Sequence, residues 1–218
     1  MEKIKTKYKE NFLRKDFIIS FVSSLVFLFI SVIINYYAGN YAAEKASAPV
    51  TDIILSNTRV FDVDIFFVYA PILFSIFITF LCFSNPKKIP FVAESLALFI
   101  IIRSFFINLT HIGPFPTQAI TDNNILVNKF TFGGDLFFSG HTGIPFLLAL
   151  IFWDNKTLRY FFLFYSIFMG IIVLLGHYHY SIDVLSAFFI TYSIYHLSIF
   201  FFKKDKQMFD EEKDSVES

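Results

Sequence analysis

Six stretches of about 20 predominantly apolar residues limit the folds that this chain can adopt. A helix of that length crosses the hydrocarbon core of a bilayer and satisfies its backbone hydrogen bonds internally. With 56% hydrophobic residues, 33 Phe and a mean hydropathy of +0.61, the chain is too apolar for a soluble domain. The sequence therefore predicts an all-α, polytopic membrane protein. Its six predicted transmembrane helices lie near residues 17–38, 64–83, 91–109, 136–153, 158–176 and 183–202.

The positions of Lys and Arg predict the orientation of these helices. If both termini are cytoplasmic, the inner segments carry 14 Lys and Arg, whereas the outer segments carry only Lys45, Arg59 and Lys129. Cytoplasmic loops of membrane proteins are enriched in these residues. We therefore expect both termini in the cytoplasm. The two long loops between helices then lie outside, where we expect the active site.

We find no internal repeat or flexible linker, so the sequence predicts one domain. Residues 1–16 form a basic cytoplasmic N-terminus, residues 17–202 the six-helix catalytic domain and residues 203–218 a charged cytoplasmic tail. We expect the acidic end of that tail to be disordered. The small residues from Ala46 to Ala48 resemble a signal-peptide cleavage site. The first apolar stretch is longer than that of most signal peptides, which favours a signal anchor.

Two polar segments, residues 133–143 and 177–183, begin the fourth and the sixth apolar stretch. The first segment contains His141, and the second contains His179 and Asp183. Ionisable side chains are costly inside a membrane, and they usually mark function there. We therefore predict His141, His179 and Asp183 as catalytic residues.

Arg103 is a cation within the third apolar stretch, near its outer end. At 1.5 Å per residue, both Arg103 and His141 would lie about 9 Å below the outer surface. A cation at that depth needs an anionic partner, for which Asp183, Asp135 and a bound phosphate are the candidates. We predict one shallow cavity that Arg103 shares with the two histidines.

The spacing of these residues indicates their chemistry. His179 and Asp183 are four residues apart, which would place them on one face of a helix. A carboxylate that binds one imidazole nitrogen leaves the other nitrogen free as a nucleophile or base. Ser139 and Gly140 stand at a predicted helix start, where unpaired N–H groups and the helix dipole favour phosphate.

Other roles remain open for several candidate substrate-binding residues. Asp135 could be a helix N-cap, and Ser139 and Gly140 could serve close helix packing. His111 lies in the second outer loop, where it is a candidate secondary acid, base or headgroup contact. We find no compact cluster of metal-ligand type and expect no metal or cofactor.

Several motifs of this chain resemble those of a known family. The motifs Ser139-Gly140-His141-Thr142 and His179-x-x-x-Asp183 resemble those of the type 2 phosphatidic acid phosphatase superfamily. The longer string from Gly134 to Thr142 resembles more its sphingomyelin synthase branch. Arg103, followed by Thr110 and the loop with Pro114 and Pro116, resembles that branch as well. The resemblance covers roughly residues 91–200.

The chain also departs from the lipid phosphatases of this superfamily. Ile172 and Val173 stand where those enzymes carry a Ser-Arg pair before the nucleophilic histidine. A dianionic phosphate monoester needs cationic groups around it, whereas a phosphodiester carries less charge. This difference favours transfer or cleavage of a phosphodiester headgroup over hydrolysis of a phosphomonoester.

Together, chemistry and resemblance imply a phospholipid headgroup phosphotransferase that makes sphingomyelin or ceramide phosphoethanolamine. His179, oriented by Asp183, would form a phospho-histidine, and His141 would protonate the departing lipid alcohol. The expected partners are phospholipids and lipid alcohols, with no nucleic acid. The expected location is a bacterial inner membrane, with the active site facing the periplasm or exterior.

Alternative functions stay open. Within the same enzyme class, the alternatives are a lipid phosphate phosphatase and a phospholipase C-type hydrolase. Outside it, His141 and His179 could ligate a haem, or the intramembrane charges could belong to a lipid or ion carrier. The headgroup and the acceptor, which is ceramide, diacylglycerol or water, are left undetermined by the sequence.

Overall fold

The structure is a computed structural model that describes residues 2–119 and 136–214 of the chain. Within these ranges it is helical and contains no strand, so the predicted all-α fold is confirmed for them. Two short 3-10 helices occupy Leu55–Asn57 and Pro86–Lys88. The α-helices are α1 (Glu2–Phe12), α2 (Lys15–Glu44), α3 (Asp64–Phe83), α4 (Ile89–Ile107), α5 (Gly140–Ile151), α6 (Lys156–Leu175), α7 (Ser181–Phe201) and α8 (Lys203–Asp214).

Five segments of the described chain are long and apolar enough to cross a membrane, namely α2, α3, α4 with its preceding 3-10 turn, α6 and α7. The fourth predicted stretch, residues 136–153, differs from the expectation. Its helix α5 has only 12 residues, a length of about 18 Å. Ser139 has an extended backbone and caps the helix, so the helix begins later than its apolar sequence suggests. Five of the six predicted transmembrane helices are thus long enough to cross a membrane, and the fourth stretch contains a shorter apolar helix.

The helices run between two ends of the molecule. One of them, which we call the charged end, brings α1, α8 and the 3-10 turn before α4 together. There the Lys87 ammonium lies 3.3 Å from Glu211. The ammonium of Lys88 lies over the rings of Phe152 and Phe209, at 5.5 and 5.9 Å from their centroids.

The opposite end, which we call the loop end, consists of residues 45–63, 108–119, 136–139 and 176–180. Backbone hydrogen bonds tie these loops together across long separations in sequence. The N–H of Ser47 donates to His111 O (2.7 Å), that of Phe61 to Leu175 O (2.9 Å) and that of Ala119 to Gly176 O (3.0 Å).

The short helix α5 still belongs to a segment that reaches both ends. Leu136 packs with Leu55 and Tyr180 at the loop end. Phe152, just after α5, contacts the ring of Phe209 at the charged end, at a centroid distance of 5.4 Å. The non-helical residues 136–139 and the short helix α5 together therefore connect the two ends.

Helix α4 forms the centre of the bundle, because its side chains are buried on more than one face. Phe91, Ala97 and Phe99 are fully buried. Helix α2 lies along α4 and presents small residues that allow the two backbones to approach closely. These buried residues of α2 are Ser20, Ser24, Ser31, Gly39 and Ala42.

Helix α8 differs from the expectation of a disordered acidic end. Residues 203–214 are helical, and Met208 and Phe209 are buried. The ring of Phe209 packs against that of Phe91 in α4, at a centroid distance of 5.9 Å. Two apolar side chains among the charges thus anchor this segment to the bundle.

We expect Gly143→Ala to destabilise the protein, because a Cβ at this position would lie 2.7 Å from the buried ring of Phe99 and 2.9 Å from Thr191 Oγ1. Overpacking of this kind costs about 1–3 kcal/mol. Gly140→Ala, one turn earlier in α5, is the matched control, since its nearest neighbour would be Arg103 Nε at 3.5 Å. Thermal unfolding in detergent should show a lower midpoint for the first variant only. Equal midpoints would contradict the close contact of α4 and α5.

Candidate active site

His179 lies just before the first turn of α7, which begins at Ser181. Its Nδ1 is 2.9 Å from the carbonyl oxygen of Leu136 and 3.5 Å from Asp183 Oδ2. A carbonyl oxygen only accepts hydrogen bonds, so Nδ1 donates and carries the proton. In the neutral ring, the lone pair is therefore on Nε2.

Asp183 is buried and caps α7. Its Oδ2 accepts a hydrogen bond from the Tyr180 N–H at 2.9 Å, as one half of a capping box. The sequence predicts His179 and Asp183 on one face of a helix, but His179 precedes the helix. The two side chains still meet, because the capping geometry turns the carboxylate back towards the residues before α7.

Ser139 caps α5 and connects the two polar segments. Its Oγ accepts from Thr142 N at 3.4 Å and from Thr142 Oγ1 at 3.3 Å. Its own N–H donates to the backbone carbonyl of Asp183 at 3.1 Å. The starts of α5 and α7 are thereby held side by side.

Arg103 reaches from α4 to the start of α5. Its Nε donates to the carbonyl oxygen of Phe138 at 2.8 Å, and its side chain is buried. A Cβ on Gly140 would make only ordinary van der Waals contact with the Arg103 side chain, 3.5 Å from its Nε. The structure thus brings the cation next to the first helical turn that carries His141.

His141 is half-buried and faces His179, with their ring centroids 6.3 Å apart and their planes at 60°. On another side it stacks on Phe67 of α3, at a centroid distance of 4.6 Å. Phe67 stacks in turn on Tyr178 at 3.9 Å. The imidazole of His141 is therefore oriented by aromatic contact with a helix that is distant in sequence.

The described contacts of the predicted substrate residue His111 are with the last turns of α2 and with the first outer loop. Its ring packs against that of Tyr41 at 5.7 Å, and its carbonyl accepts from Ser47. No contact joins it to His141 or His179 among the described residues.

The predicted contact of Asp135 with substrate lies outside the described residues. No group of three or more His, Cys, Asp and Glu that could hold a metal occurs in residues 2–119 and 136–214.

Asp52 is a buried carboxylate at this site that the sequence did not single out. Its Oδ2 accepts from the N–H and the Oγ of Ser181 at 2.7 and 2.8 Å, and its Oδ1 accepts from the N–H groups of Ile54 and Leu55. Burial by itself would raise the pKa of Asp52, but these hydrogen bonds hold the pKa below its usual value. Asp52 therefore anchors the first outer loop to the start of α7.

Asp64 and Tyr178 form a second connection that the sequence did not indicate. The phenol of Tyr178 donates to Asp64 Oδ1 at the start of α3. Burial and the neighbouring carboxylate of Asp64 raise the pKa of Tyr178, so the phenol remains a donor. Tyr178 is thus held by its hydroxyl while its ring supports Phe67.

The described side-chain contacts of His177 are with the second outer loop, at Thr117 and Phe115. Among the described non-glycine residues, His177 alone has a positive φ, which is 54°. Its Nδ1 lies 2.6 Å from Thr117 Oγ1, and burial lowers its pKa. The left-handed backbone at His177 turns the chain. His177 therefore contacts Thr117, whereas His179 contacts the carbonyl of Leu136.

We expect Asp52→Asn to lower the stability of the protein at neutral pH by about 2 kcal/mol, because an amide cannot replace every hydrogen bond that the carboxylate accepts. The folded-state pKa of Asp52 is lowered, so its contribution is complete above the unfolded pKa of about 3.9 and is lost as pH falls through the folded value. The difference in unfolding midpoint between wild type and variant, measured in detergent from pH 7 to pH 3, should therefore shrink with acid.

Asp62→Asn is the control for this experiment, because Asp62 is exposed in the same loop and accepts only a 3.3 Å hydrogen bond from Asp64 N. Its midpoint should stay close to that of wild type at each pH. A constant difference for Asp52→Asn across the range would contradict the assigned ionisation of Asp52.

Comparison with known proteins identifies one family for part of the chain. Residues 133–200 match the family model described as PAP2 superfamily C-terminal. No curated protein and no solved structure matches the chain. The matched part contains His141, His179 and Asp183, whereas Arg103 and His111 precede it. The match supports membership of the PAP2 superfamily and indicates an enzyme of the lipid phosphatase or phosphotransferase type.

Proposed function

We propose that this protein is a phospholipid headgroup phosphotransferase, of the sphingomyelin or ceramide phosphoethanolamine synthase kind, that acts through a phospho-histidine. One observation carries the proposal. His179 faces His141 across 6.3 Å, and its Nδ1 is bound to the Leu136 carbonyl, which leaves Nε2 for attack. Two rings at this separation can flank one phosphorus atom with reacting atoms about 3–3.5 Å apart.

In the first step, Nε2 of His179 attacks the phosphorus of the phospholipid. A nitrogen–phosphorus bond forms, and the bond from phosphorus to the lipid oxygen breaks. His141, in its imidazolium form, gives its proton to that oxygen, so diacylglycerol leaves as a neutral alcohol. The carboxylate of Asp183 stabilises the positive charge that develops on the His179 ring.

In the second step, an acceptor hydroxyl attacks the same phosphorus. His141, now neutral, takes the hydroxyl proton, and the nitrogen–phosphorus bond breaks with its electron pair returning to Nε2. Ceramide as acceptor yields a phospho-headgroup sphingolipid. Water as acceptor yields the free phospho-headgroup, which would be phospholipase C-type cleavage.

Charge on the transferring group requires electrostatic stabilisation. Arg103 contributes a buried positive charge beside the start of α5, and the N–H groups of that first turn add the helix dipole. We assign Ser139 and Gly140 to this phosphate seat. Asp135 and His111 remain predicted substrate contacts from the flanking loops.

The environment of the site supports a phosphodiester substrate. Ile172 and Val173, which stand where the related phosphatases carry Ser and Arg, are buried in an apolar cluster with Phe67, Tyr178 and Val184. Arg103 is the cation that the described contacts bring to the start of α5. A single cation suits a monoanionic phosphodiester better than a dianionic monoester.

We further propose that the segments joining the two ends all cross the bilayer, with the charged end inside and the loop end outside. The Lys residues at the charged end support this orientation. The site then opens to the periplasm or exterior of a bacterial inner membrane.

The direct test is an assay of purified protein with phosphatidylcholine, phosphatidylethanolamine and phosphatidic acid, with and without ceramide, read by lipid mass spectrometry. We expect a ceramide-dependent phospho-headgroup sphingolipid. Diacylglycerol formed without acceptor would indicate a phospholipase C. Consumption of phosphatidic acid alone, with release of phosphate, would replace the proposal with a lipid phosphate phosphatase.

His179→Ala should lower turnover in this assay by at least about 10³-fold, because no other group supplies the attacking nitrogen. His196→Ala is the matched control, since His196 is an exposed histidine in α7 that packs on Tyr192 and Tyr195. It should retain wild-type turnover. Full activity of His179→Ala would refute the nucleophile assignment.

His141→Ala should lower turnover of phospholipid by about 10²–10⁴-fold, the usual contribution of a general acid. The loss should be much smaller with p-nitrophenyl esters of phosphocholine or phosphoethanolamine, because p-nitrophenolate leaves without protonation. The rate of the first turnover on each substrate measures this difference. An equal loss on both kinds of substrate would contradict the assignment of His141 as the acid.

A further inference from the structure

Two aromatic rings cover one face of the His141 imidazole. Phe67 of α3 stacks on it at a centroid distance of 4.6 Å, with 29° between the planes. The second face of Phe67 is covered by the ring of Tyr178, at 3.9 Å and 20°. Both aromatic side chains are buried, at 6% and 5% exposure. His141 therefore lies at the end of a stack of three rings that shields its π contact from water.

Tyr178 is fixed from two sides. Its phenol donates a hydrogen bond to Asp64 Oδ1 at the start of α3. Its ring lies against Gly176, where a Cβ would be only 2.6 Å from Tyr178 Cδ2. Aromatic pairs on their own prefer offset or edge-on arrangements with centroids about 4.5–7 Å apart. We attribute the closer approach of Tyr178 to Phe67 to these two anchors.

The surroundings of His141 oppose the positive charge that the proposed reaction requires. The ring is half-buried, and the buried cation Arg103 lies beside Gly140, the preceding residue. The carboxylate of Asp183 lies next to His179 instead. Among the described contacts, no carboxylate touches the His141 ring.

The other elements around His141 supply little compensating charge. From α3, the carboxylate of Asp64 is bound to the Tyr178 phenol, so the aromatic pair separates it from His141. From α6, the neutral hydroxyl of Ser166 donates to the carbonyl of Thr142. An imidazolium at this position therefore needs stabilisation from the aromatic face that it contacts.

We propose that Phe67 and Tyr178 stabilise the imidazolium form of His141 through their π faces, with Asp64 as the anchor of the stack. The inference rests on the proposed function, and it makes these three side chains positioning residues of the acid. A ring face attracts a cation within about 6 Å of its centroid. Unlike a carboxylate, the face occupies neither ring nitrogen, so both nitrogens of His141 stay available for proton transfer. The attraction is modest, and His141 can still release its proton to the leaving oxygen.

The test replaces Phe67 by 3,4,5-trifluorophenylalanine, which nearly keeps the shape of the ring and removes much of the negative charge from its face. The same replacement at Phe66 is the matched control, because Phe66 is 51% exposed and packs on Phe168. We expect the rate of the first turnover of phospholipid to fall about 3–10-fold at position 67 only. The p-nitrophenyl ester of the same headgroup should react at nearly the wild-type rate, since its leaving group needs no proton.

An unchanged rate on the phospholipid, or an equal loss on both substrates, would overturn the proposal. Tyr178→Phe tests the anchor, because it removes the hydrogen bond to Asp64 and keeps the ring. We expect a smaller loss that is again limited to the phospholipid. Tyr69→Phe is its control, since Tyr69 lies in the same helix α3 and is 52% exposed. Wild-type rates for Tyr178→Phe on both substrates would refute the role of Asp64.

Nuclear magnetic resonance tests the stabilisation of charge without any turnover. Protein with histidine labelled at Cε1 is titrated in detergent, and the His141 signal is assigned by its absence in His141→Ala. Trifluorination of Phe67 should move the titration midpoint of His141 about 0.5–1 pH unit lower, whereas that of Phe66 should leave it unchanged. A shifted midpoint in a protein that turns over no lipid would reject the proposed function and retain the aromatic support. Lipid turnover with an unmoved midpoint would do the reverse.

Discussion

The candidate site depends on one buried carboxylate, that of Asp183. The side chain caps α7 through the Tyr180 N–H and lies 3.5 Å from His179, while the backbone carbonyl of the same residue accepts from Ser139. A polar group without a partner is costly in hydrocarbon surroundings, so these contacts must be satisfied within the protein. Asp183 consequently fixes the start of α7, the position of His179 and the approach of Ser139.

Much of this arrangement could be predicted from the sequence, because hydrophobic run length and ionisable residues are local signals. The lengths of the apolar stretches predicted the all-α fold and five helices that are long enough to cross a membrane. The residues His141, His179 and Asp183 were predicted as catalytic because ionisable groups stand out in an apolar chain, and the structure brings their side chains close together. The length of α5 could not be predicted from hydrophobicity, since Ser139 sets its start through a cap that leaves the apolar character of residues 136–138 unchanged.

The supporting residues were not predictable, because their roles arise from contacts between distant segments. Asp52 lies 129 residues from Ser181, and Asp64 lies 114 residues from Tyr178. Neither carboxylate is within a motif, and a loop aspartate is ordinarily a solvated residue. The pairing of Phe67 with His141 was similarly hidden, since one phenylalanine among 33 carries no signal by itself.

The stacking of Phe67 on His141 connects helix α3 directly to the candidate active site. One side of this helix packs on α6 through residues such as Phe74, whose ring stacks on that of Tyr165 at 4.2 Å, and much of the rest of its surface is exposed. Its first turns nevertheless hold the ring of His141 and the phenol of Tyr178. Helix α3 is a candidate membrane-spanning helix, and its exposed side chains are those that would contact lipid. Any tilt of α3 would move the ring of Phe67 that stacks on His141, so the alignment of the proposed proton donor depends on the position of α3.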